Sequence, residues 1–235
     1  MRLTATELVS KLKTGNVLDR RDAARNIWVN WESLEDRQGI KIEEELILSL
    51  LKAEKAEKNI WYYMIVLGLI NSTDAIPIIL ENLRNSKSEN IRGFAAEALG
   101  KYKLENLSNK ILTLLWHLAN TDPILVVRVN SIRSIAIHYH GTKNEEISYR
   151  FLKLLKDHSD STTRIAIMQQ IGEIGSMAIV PDLIHMLITR RTKLDIKITG
   201  NTLDEIARIN GYLSREGLIE IFSEELMNSN VINKE

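Results

Sequence analysis

An arginine followed by the same apolar spacing recurs three times in this chain, at intervals of 36 residues. The three segments are IRGFAAEALG at 91–100, VRVNSIRSIA at 127–136 and TRIAIMQQIG at 163–172. Counted from each arginine, small or apolar residues stand at +3, +4 and +7, and a small residue stands at +8. This spacing places them on one face of an α-helix. A repeat of this period predicts similar helical units that stack side by side.

The arginine pattern extends beyond the three clear copies but becomes irregular towards both ends of the chain. Arg20 and Ile60 begin weaker copies on the N-terminal side, and Ile196 begins one on the C-terminal side. The spacing between successive anchors then varies between 32 and 40 residues. Terminal units of helical repeats are commonly atypical because they cap the stack. We therefore predict atypical capping units near 1–55 and 193–235.

Two proline-containing segments mark a second kind of helix. DAIPIILENL at 74–83 and AIVPDLIHML at 178–187 share an apolar pattern with a proline near the start. Proline is tolerated in the first turn of a helix because the amides there lack an intrahelical partner. Pro77 and Pro181 each lie 15 residues before an anchor of the arginine pattern. Each unit is therefore predicted to contain a first helix and then a second helix that carries the arginine pattern.

Helices are predicted over nearly the whole chain. The first helices are predicted at 4–14, 39–53, 74–84, 104–119, 143–157, 177–190 and 213–227. The second helices are predicted at 18–31, 57–70, 89–102, 124–139, 161–173 and 193–209. Capping boxes are predicted at Thr4–Glu7, Ser86–Glu89 and Thr142–Glu145. The predicted fold class is all-α, an α-solenoid or superhelix of about six antiparallel helix pairs in a single domain over 1–235.

The repeated segments resemble a known family. IRGFAAEALG is similar to the second helix of HEAT repeats, and DAIPIILENL and AIVPDLIHML are similar to their first helix. The resemblance is to the short bacterial form of these repeats, often called HEAT-like or phycobilisome-lyase-type, and it covers roughly 15–210. It implies that the repeated arginines form a structural ladder, each pairing with an acidic residue of a neighbouring unit. The ladder arginines are Arg20, Arg92, Arg128 and Arg164, and the candidate acids are Asp122, Glu89 and Asp160. A binding role for these arginines is the alternative.

The side of the second helices that faces away from the core is the candidate partner-binding surface. Helix geometry puts the core near −1, +3 and +7, so positions +1, +5 and +12 point the other way. We name these positions the second-helix row: Arg21, Arg25, Trp61, Ile65, Glu97, Arg133, Gln169, Lys197 and Arg208, with Val129, His140, Ile165 and Asn201 beside them. We expect the row to line a concave surface. Its tryptophan and arginine content suits a protein partner, and an ordinary solvated face is the alternative.

Aromatic residues are concentrated in the first two units. They are Trp28, Trp31, Trp61, Tyr62 and Tyr63. Packing into the core is one explanation for this concentration, because aromatic side chains bury a large apolar area. A stacking platform or an anchor for a partner is the other.

The composition excludes several classes of site. The chain has no cysteine, which excludes disulfides and thiolate chemistry and agrees with a cytoplasmic location. Its 31 basic residues balance 31 acidic ones, so there is no overall attraction for nucleic acid or an anionic membrane. The longest apolar run, at 60–70, is well short of the roughly 20 residues that cross a bilayer. No signal peptide is expected.

No catalytic motif stands out in the sequence. The five histidines have no metal-ligand spacing, and no phosphate-binding or nucleophile motif is present. We therefore expect no metal and no cofactor. The predicted function is a non-enzymatic scaffold, adaptor or regulatory subunit that binds another protein. A phycobilin lyase subunit and a nucleic-acid-binding HEAT-like protein are the alternatives, with nucleic acid the less expected partner. The sequence leaves the oligomeric state open.

Overall fold

The computed structural model describes residues 4–103, 105, 107–189 and 192–232, and for 224–232 it describes the backbone alone. Within these residues the secondary structure is helical, with no β-strand. The helices are α1 Ala5–Thr14, α2 Val17–Asn30, α3 Arg37–Ile42, α4 Glu44–Ala53, α5 Glu57–Leu69, α6 Ile76–Asn85, α7 Glu89–Gly100, α8 Asn109–Thr121, α9 Leu125–Ala136, α10 Glu145–Asp157, α11 Ser161–Ile174, α12 Val180–Thr189, α13 Lys193–Ile209 and α14 Arg215–Ile232.

These bounds confirm the predicted helices to within a few residues, with one exception. The helix predicted at 39–53 is divided into α3 and α4 by Glu43, whose φ of −90° and ψ of 20° leave the helical region. The Glu43 carboxylate accepts a hydrogen bond from Lys13 Nζ on α1 at 2.6 Å. Pro77 lies in the first turn of α6 and Pro181 in that of α12, as predicted.

The helix starts are only partly as the sequence predicts. The Thr4–Glu7 capping box of α1 is present. The other two predicted boxes are wrong, because α7 is capped by the Ser88 side chain and α10 by the Asn144 side chain. Lys143 has a φ of 57°, a left-handed conformation that ends the preceding turn. The helix therefore begins after that residue, and the Thr142 hydroxyl donates to the Tyr139 carbonyl instead.

The chain divides into two compact units, unit 1 from Met1 to Ile135 and unit 2 from Ala136 to Glu235. In unit 1 the second helices α2, α5 and α7 pack side by side in chain order, and α1, α4 and α6 each pack on the second helix of their own pair. In unit 2, α11 packs on α13, with α10 and α12 as their paired first helices. The single domain over 1–235 stays a prediction, and its C-terminal cap extends into 233–235, outside the described residues.

The apolar stripe of the repeat forms the core of each unit. Its +3, +4 and +7 positions are buried in the regular copies and in the first unit: Ala23, Ala24, Ile27, Ala95, Ala96, Leu99, Ile167, Met168 and Ile171. Tyr63 and Phe151 are the bulkiest fully buried apolar side chains of α5 and α10. Burial of this stripe is the main stabilising contribution, since the helices have no other means of removing their apolar faces from water.

Buried polar side chains fix the register between neighbouring second helices. Asn130 Nδ2 on α9 donates to the Gly93 carbonyl on α7 at 3.0 Å, and Ser134 Oγ donates to the Ala96 carbonyl at 2.8 Å. In unit 2, Thr202 Oγ1 on α13 donates to a carbonyl of α11 at 3.1 Å. Each of these donors is buried and would be costly to leave unpaired. They therefore oppose sliding of one second helix along the next.

Burial of His138 is expected to make the stability of unit 2 sensitive to acid. It lies in the short 3-10 turn Ile137–Tyr139, and its Nε2 is buried without an acceptor among the described residues. Burial lowers the pKa of His138. The folded protein therefore binds this proton less readily than the unfolded chain does. Its contribution to stability is complete above the unfolded value of about 6.5 and is lost as the pH falls below it.

We expect His138→Gln to reduce this pH dependence. Urea unfolding of the wild type and the variant at about pH 7.5 and about pH 5.5 measures it. The wild type should lose more free energy of unfolding on acidification than the variant. Equal losses would contradict the assignment to His138.

Among the described residues, no helix is both long enough and apolar enough to span a membrane.

Candidate partner-binding surface

Arg92 connects one second helix to the start of the next. From α7 its Nη2 donates to the carboxylate of Asp122, whose side chain is only 2% exposed. Its Nε donates to the Leu83 carbonyl at 3.4 Å. The other Asp122 oxygen accepts from the amide of Ile124 at 2.9 Å, just before α9. One buried carboxylate therefore holds both an arginine of the preceding unit and the start of its own helix.

Arg164 makes the corresponding contacts in unit 2. It donates to the Leu155 and His158 carbonyls at 3.1 and 3.2 Å and to the Asp195 carboxylate at 3.3 Å. Asp195 was not among the acids expected from the sequence. A positional signal for it exists, because it stands 31 residues after its arginine, and the acid that pairs with Arg92 stands 30 residues after.

Arg128 donates to backbone oxygens in the connection that precedes its own helix, α9. Its Nη1 donates to the Asp122 carbonyl at 2.8 Å and to the Pro123 carbonyl at 3.0 Å. Glu89 is exposed, and the anchor one repeat before it is Ile60, which is not an arginine. The expectation that Glu89 serves the ladder is therefore wrong, since no ladder arginine stands in the preceding unit to pair with it.

Arg20 lies near Glu54, in the connection that precedes the next pair's second helix. Partial burial of the Glu54 carboxylate favours its neutral form, but hydrogen bonds from Ala56, Asn59 and Lys55 and the charge of Arg20 lower its pKa overall. The Asn59 amide also donates to the backbone of α2 at 3.1 Å. The first unit thus uses a carboxylate and an amide where the regular units use an aspartate. The structural role of the four arginines stays a prediction.

The second-helix row is accessible at eight of its nine predicted positions. Exposed or partly exposed are Arg21, Arg25, Trp61, Glu97, Arg133, Gln169, Lys197 and Arg208. Ile65 is 0% exposed, so its inclusion in the row is wrong. The physical reason is that α5 is apolar on all sides and packs between α2, α4 and α7, so that little of it remains for solvent.

Four aromatic side chains from three successive second helices meet in unit 1. We name Trp28, Trp61, Tyr62 and Phe94 the aromatic patch. The Trp61 and Phe94 rings are stacked, with centroids 4.5 Å apart and an interplanar angle of 13°. Trp28 lies 5.8 Å from Tyr62 and 6.4 Å edge-on from Phe94. All four side chains are partly exposed, so the patch is not part of the core.

The other two aromatic residues of the predicted group are not among the four rings of the patch, although Trp31 lines a pocket together with Trp28. Tyr63 is fully buried. Trp31 lies beyond the end of α2, where the guanidinium of Arg37 stands 5.7 Å from its ring centroid. The aromatic residues therefore divide between the two explanations, one in the core and most in a partly exposed cluster.

Charged residues of the row surround the aromatic patch. Arg25 is exposed and lies one turn before Trp28 on α2. Glu97 lies one turn after Phe94 on α7 and pairs with Lys101 at 3.5 Å. Arg21 pairs with its neighbour Asp22 at 3.2 Å, and Arg133 is exposed on α9. The Arg21–Asp22 pair is the more exposed of the two, and such pairs contribute at most about 1 kcal/mol, so its charges are available to a partner.

In unit 2 the row borders a groove between α11 and α13, with a volume of about 420 Å³. We name it the α11–α13 groove. Its walls carry Ile165, Gln169 and Glu173 from α11 and Ile198, Asn201 and Glu205 from α13. Its floor is formed where Gly172 lies against Thr202. The two remaining row residues of unit 2 are close by, since Lys197 stands one turn before Asn201 and Arg208 pairs with Glu205.

The two carboxylates of the groove accept hydrogen bonds from different kinds of donor. Gln169 Nε2 donates to Glu173 at 2.9 Å. Arg208 donates two hydrogen bonds to Glu205, at 2.9 and 2.5 Å. The hydrogen bond from Arg208 lowers the pKa of Glu205, against its partial burial. Glu205 is therefore expected to be ionised near neutral pH.

Sequence reasoning missed several residues of these surfaces. Phe94 follows the anchor by two positions, which the helical wheel did not select. Glu173 and Glu205 both stand nine positions after an anchor, so the repeat itself carried a signal for the pair. Among the described residues, no group of three His, Asp or Glu side chains is placed to hold a metal ion.

Comparison with known proteins agrees with the helical pattern. The model of the HEAT-repeat family matches residues 44–136. No curated protein matches the chain. The matched segment runs from α4 to α9 and includes the first two of the three clear arginine copies. The predicted all-α, HEAT-like fold class is confirmed, and residues 44–136 are similar to the HEAT-repeat family.

Proposed function

We propose that this protein is a non-enzymatic scaffold, adaptor or regulatory subunit that binds another protein along the second-helix row. HEAT repeats generally mediate protein–protein interaction, which supports the coarse statement. The observation that carries the proposal is the aromatic patch, with Trp61 stacked on Phe94 and exposed Arg25 one turn from Trp28. Tryptophan, tyrosine and arginine dominate the energetics of protein interfaces.

The patch also has the layout of an interface. Aromatic rings are rigid and lose little conformational entropy when a partner covers them, whereas the surrounding charges are solvated and set orientation. The four large rings stay partly exposed, although the core beside them is filled by other apolar side chains such as Ile27, Leu67 and Leu99. We place the partner's main contact on this patch.

Site-specific photo-crosslinking tests the proposal. A photoreactive residue is placed at Arg25 or at Glu97, within reach of the patch, and at Glu81 on α6 as a control. Glu81 is exposed on a first helix, away from the row. In native extract we expect the same discrete protein adduct from both row positions and none from Glu81. Adducts that form equally at all three positions would contradict the proposal.

Truncating Phe94 should weaken binding of the captured partner. Phe94→Ala removes the ring that contacts both Trp61 and Trp28, and central aromatic residues of interfaces typically contribute about 2 kcal/mol or more, roughly thirtyfold in affinity. Tyr149→Ala is the matched control, because it removes an exposed aromatic ring in unit 2, outside the patch. Affinity is measured by titration with the purified partner, and circular dichroism checks the fold. Equal losses in both variants would argue against the patch.

The other functions predict different outcomes. A nucleic-acid-binding protein would retard DNA or RNA at low salt and lose this with Arg25→Ala and Arg133→Ala. A phycobilin lyase subunit would yield bilin absorbance on a co-expressed acceptor protein. The cytoplasmic location is part of the proposal, and a fluorescent fusion checks it.

A further inference from the structure

The walls of the α11–α13 groove repeat one chemical order on both sides. Ile165 and Ile198 stand at one end, and the amides Gln169 and Asn201 stand in the middle. Both helices carry a carboxylate at the far end. The repeat explains the symmetry, because the wall residues of α13 follow those of α11 by 32 or 33 positions. The groove thus changes from apolar, through hydrogen-bonding, to anionic along its length.

The length of the groove fits a short stretch of extended chain. Ile165 and Glu173 are eight residues apart on one helix, which corresponds to about 12 Å. An extended peptide covers this distance with about four residues. Gln169 donates to Glu173 and keeps its carbonyl oxygen for an incoming amide, and exposed Asn201 faces it across the groove. An amide side chain offers both a donor and an acceptor, which suits a peptide backbone.

The carboxylates at the Glu173 end of the groove favour a positively charged group of a ligand. Glu173 receives a neutral amide as its donor and has no ion pair among the described residues. Glu205 is paired with Arg208, whose side chain is 65% exposed, so the pair is of the weak surface kind. One carboxylate is therefore uncompensated and the second can exchange partners. A lysine or arginine placed here gains an ion pair that the protein alone does not form.

We infer that the α11–α13 groove binds an extended segment of the protein partner, with an apolar residue at the Ile165 end and a lysine or arginine at the Glu173 end. This inference rests on the proposed function and names the chemistry of the partner's segment. The groove lies wholly in unit 2, whereas the aromatic patch lies in unit 1. Failure of the groove can therefore be distinguished from failure of the proposed function.

Titration of the full-length protein with synthetic peptides tests the inference. The probes are glycine-flanked Leu-Ala-Ala-Arg and its reverse, Arg-Ala-Ala-Leu, because the groove fixes the charged end and not the chain direction. Leu-Ala-Ala-Glu is the control. The readout is the side-chain amide NMR signals of Gln169 and Asn201. We expect saturable shifts of both signals with an arginine peptide and little change with the glutamate peptide.

Three variants connect the binding to the far end of the groove. Glu173→Gln should lower the affinity for the arginine peptide by about threefold to tenfold. Glu146→Gln, an equal change of charge on exposed α10, should leave it unaltered. Glu173→Lys should reverse the preference in favour of the glutamate peptide, which a merely destabilised variant would not do.

Several results would overturn the inference. Equal binding of the arginine and glutamate peptides would show that the carboxylates of the groove do not select the ligand by its charge. The absence of a saturable shift at millimolar peptide concentrations would show that the groove does not bind such a segment. Shifts that depend on protein concentration without any peptide would indicate a second copy of this chain as the occupant. A partner still captured through Arg25 in these cases would leave the proposed function standing and the groove without its role.

Discussion

Replacing Asp122 with alanine is expected to lower the free energy of unfolding by about 3–4 kcal/mol. The carboxylate is 2% exposed and is the acceptor for Arg92, whose side chain is itself only 22% exposed. Its loss leaves a largely desolvated guanidinium without its counter-charge. It also removes the acceptor for the Ile124 amide at the start of α9. Urea unfolding followed by circular dichroism measures the change.

Two further variants separate the ion pair from the helix cap. Asp122→Asn keeps an oxygen for the Ile124 amide but presents an NH2 group to Arg92 in place of the accepting oxygen. It therefore loses the ion pair and retains the helix cap, and it should cost less than Asp122→Ala. The double variant with Arg92→Ala should be less destabilised than the sum of the two single variants, because no unpaired cation remains. Glu81→Ala, on an exposed face, is the control and should change stability by less than about 0.5 kcal/mol.

This result decides between the two roles considered for the repeated arginines. A large, coupled loss supports the structural ladder. A loss below about 0.5 kcal/mol for Asp122→Ala would show that the pair adds little stability and would return Arg92 to the candidates for binding.

Replacing Gly100 with alanine is expected to destabilise unit 1 by about 2–3 kcal/mol, although alanine is the better helix former. A Cβ atom added at Gly100 would lie 2.6–2.7 Å from Ser134 Oγ, Cα and Cβ. Ser134 cannot move away easily, because its hydroxyl donates to the Ala96 carbonyl on the same helix as Gly100. The helices α7 and α9 would have to separate, which breaks buried hydrogen bonds along their contact.

Gly217→Ala is the matched control, since a Cβ at this helical position has nothing within 4 Å. It should be neutral or stabilising by up to about 1 kcal/mol. Ser134→Gly should not fully rescue Gly100→Ala, because one of the close atoms is the Ser134 Cα. Thermal unfolding of the set checks both statements. A Gly100→Ala protein as stable as the wild type would mean that the two helices separate at little cost.

Much of the local structure could be predicted because its signals are local. Apolar spacing, Pro77 and Pro181 located the helices to within a few residues. The division of the helix at Glu43 could not be predicted, since the apolar pattern continues through it. The capping residues were also partly wrong, because several polar residues stand in each connection and the conformation of Lys143 selects among them.

The candidate surface was predictable only where the exposure of a residue depends on its position on its own helix. A helical wheel placed Arg25, Glu97 and Gln169 outside the core correctly. It failed at Ile65, because whether that side is covered depends on the neighbouring helices. The stacking of Phe94 on Trp61 and the meeting of two walls in the α11–α13 groove involve residues more than 30 positions apart.

The sequence by itself determined that this chain is a series of paired helices, where they lie and which stripe of each is apolar. Those properties depend on backbone sterics and on periodicity within one helix. Only the tertiary structure decided which carboxylate meets each arginine, which aromatic rings remain partly exposed and where a groove opens. These depend on how closely neighbouring helices approach, which is set at contacts such as that of Gly100 with Ser134.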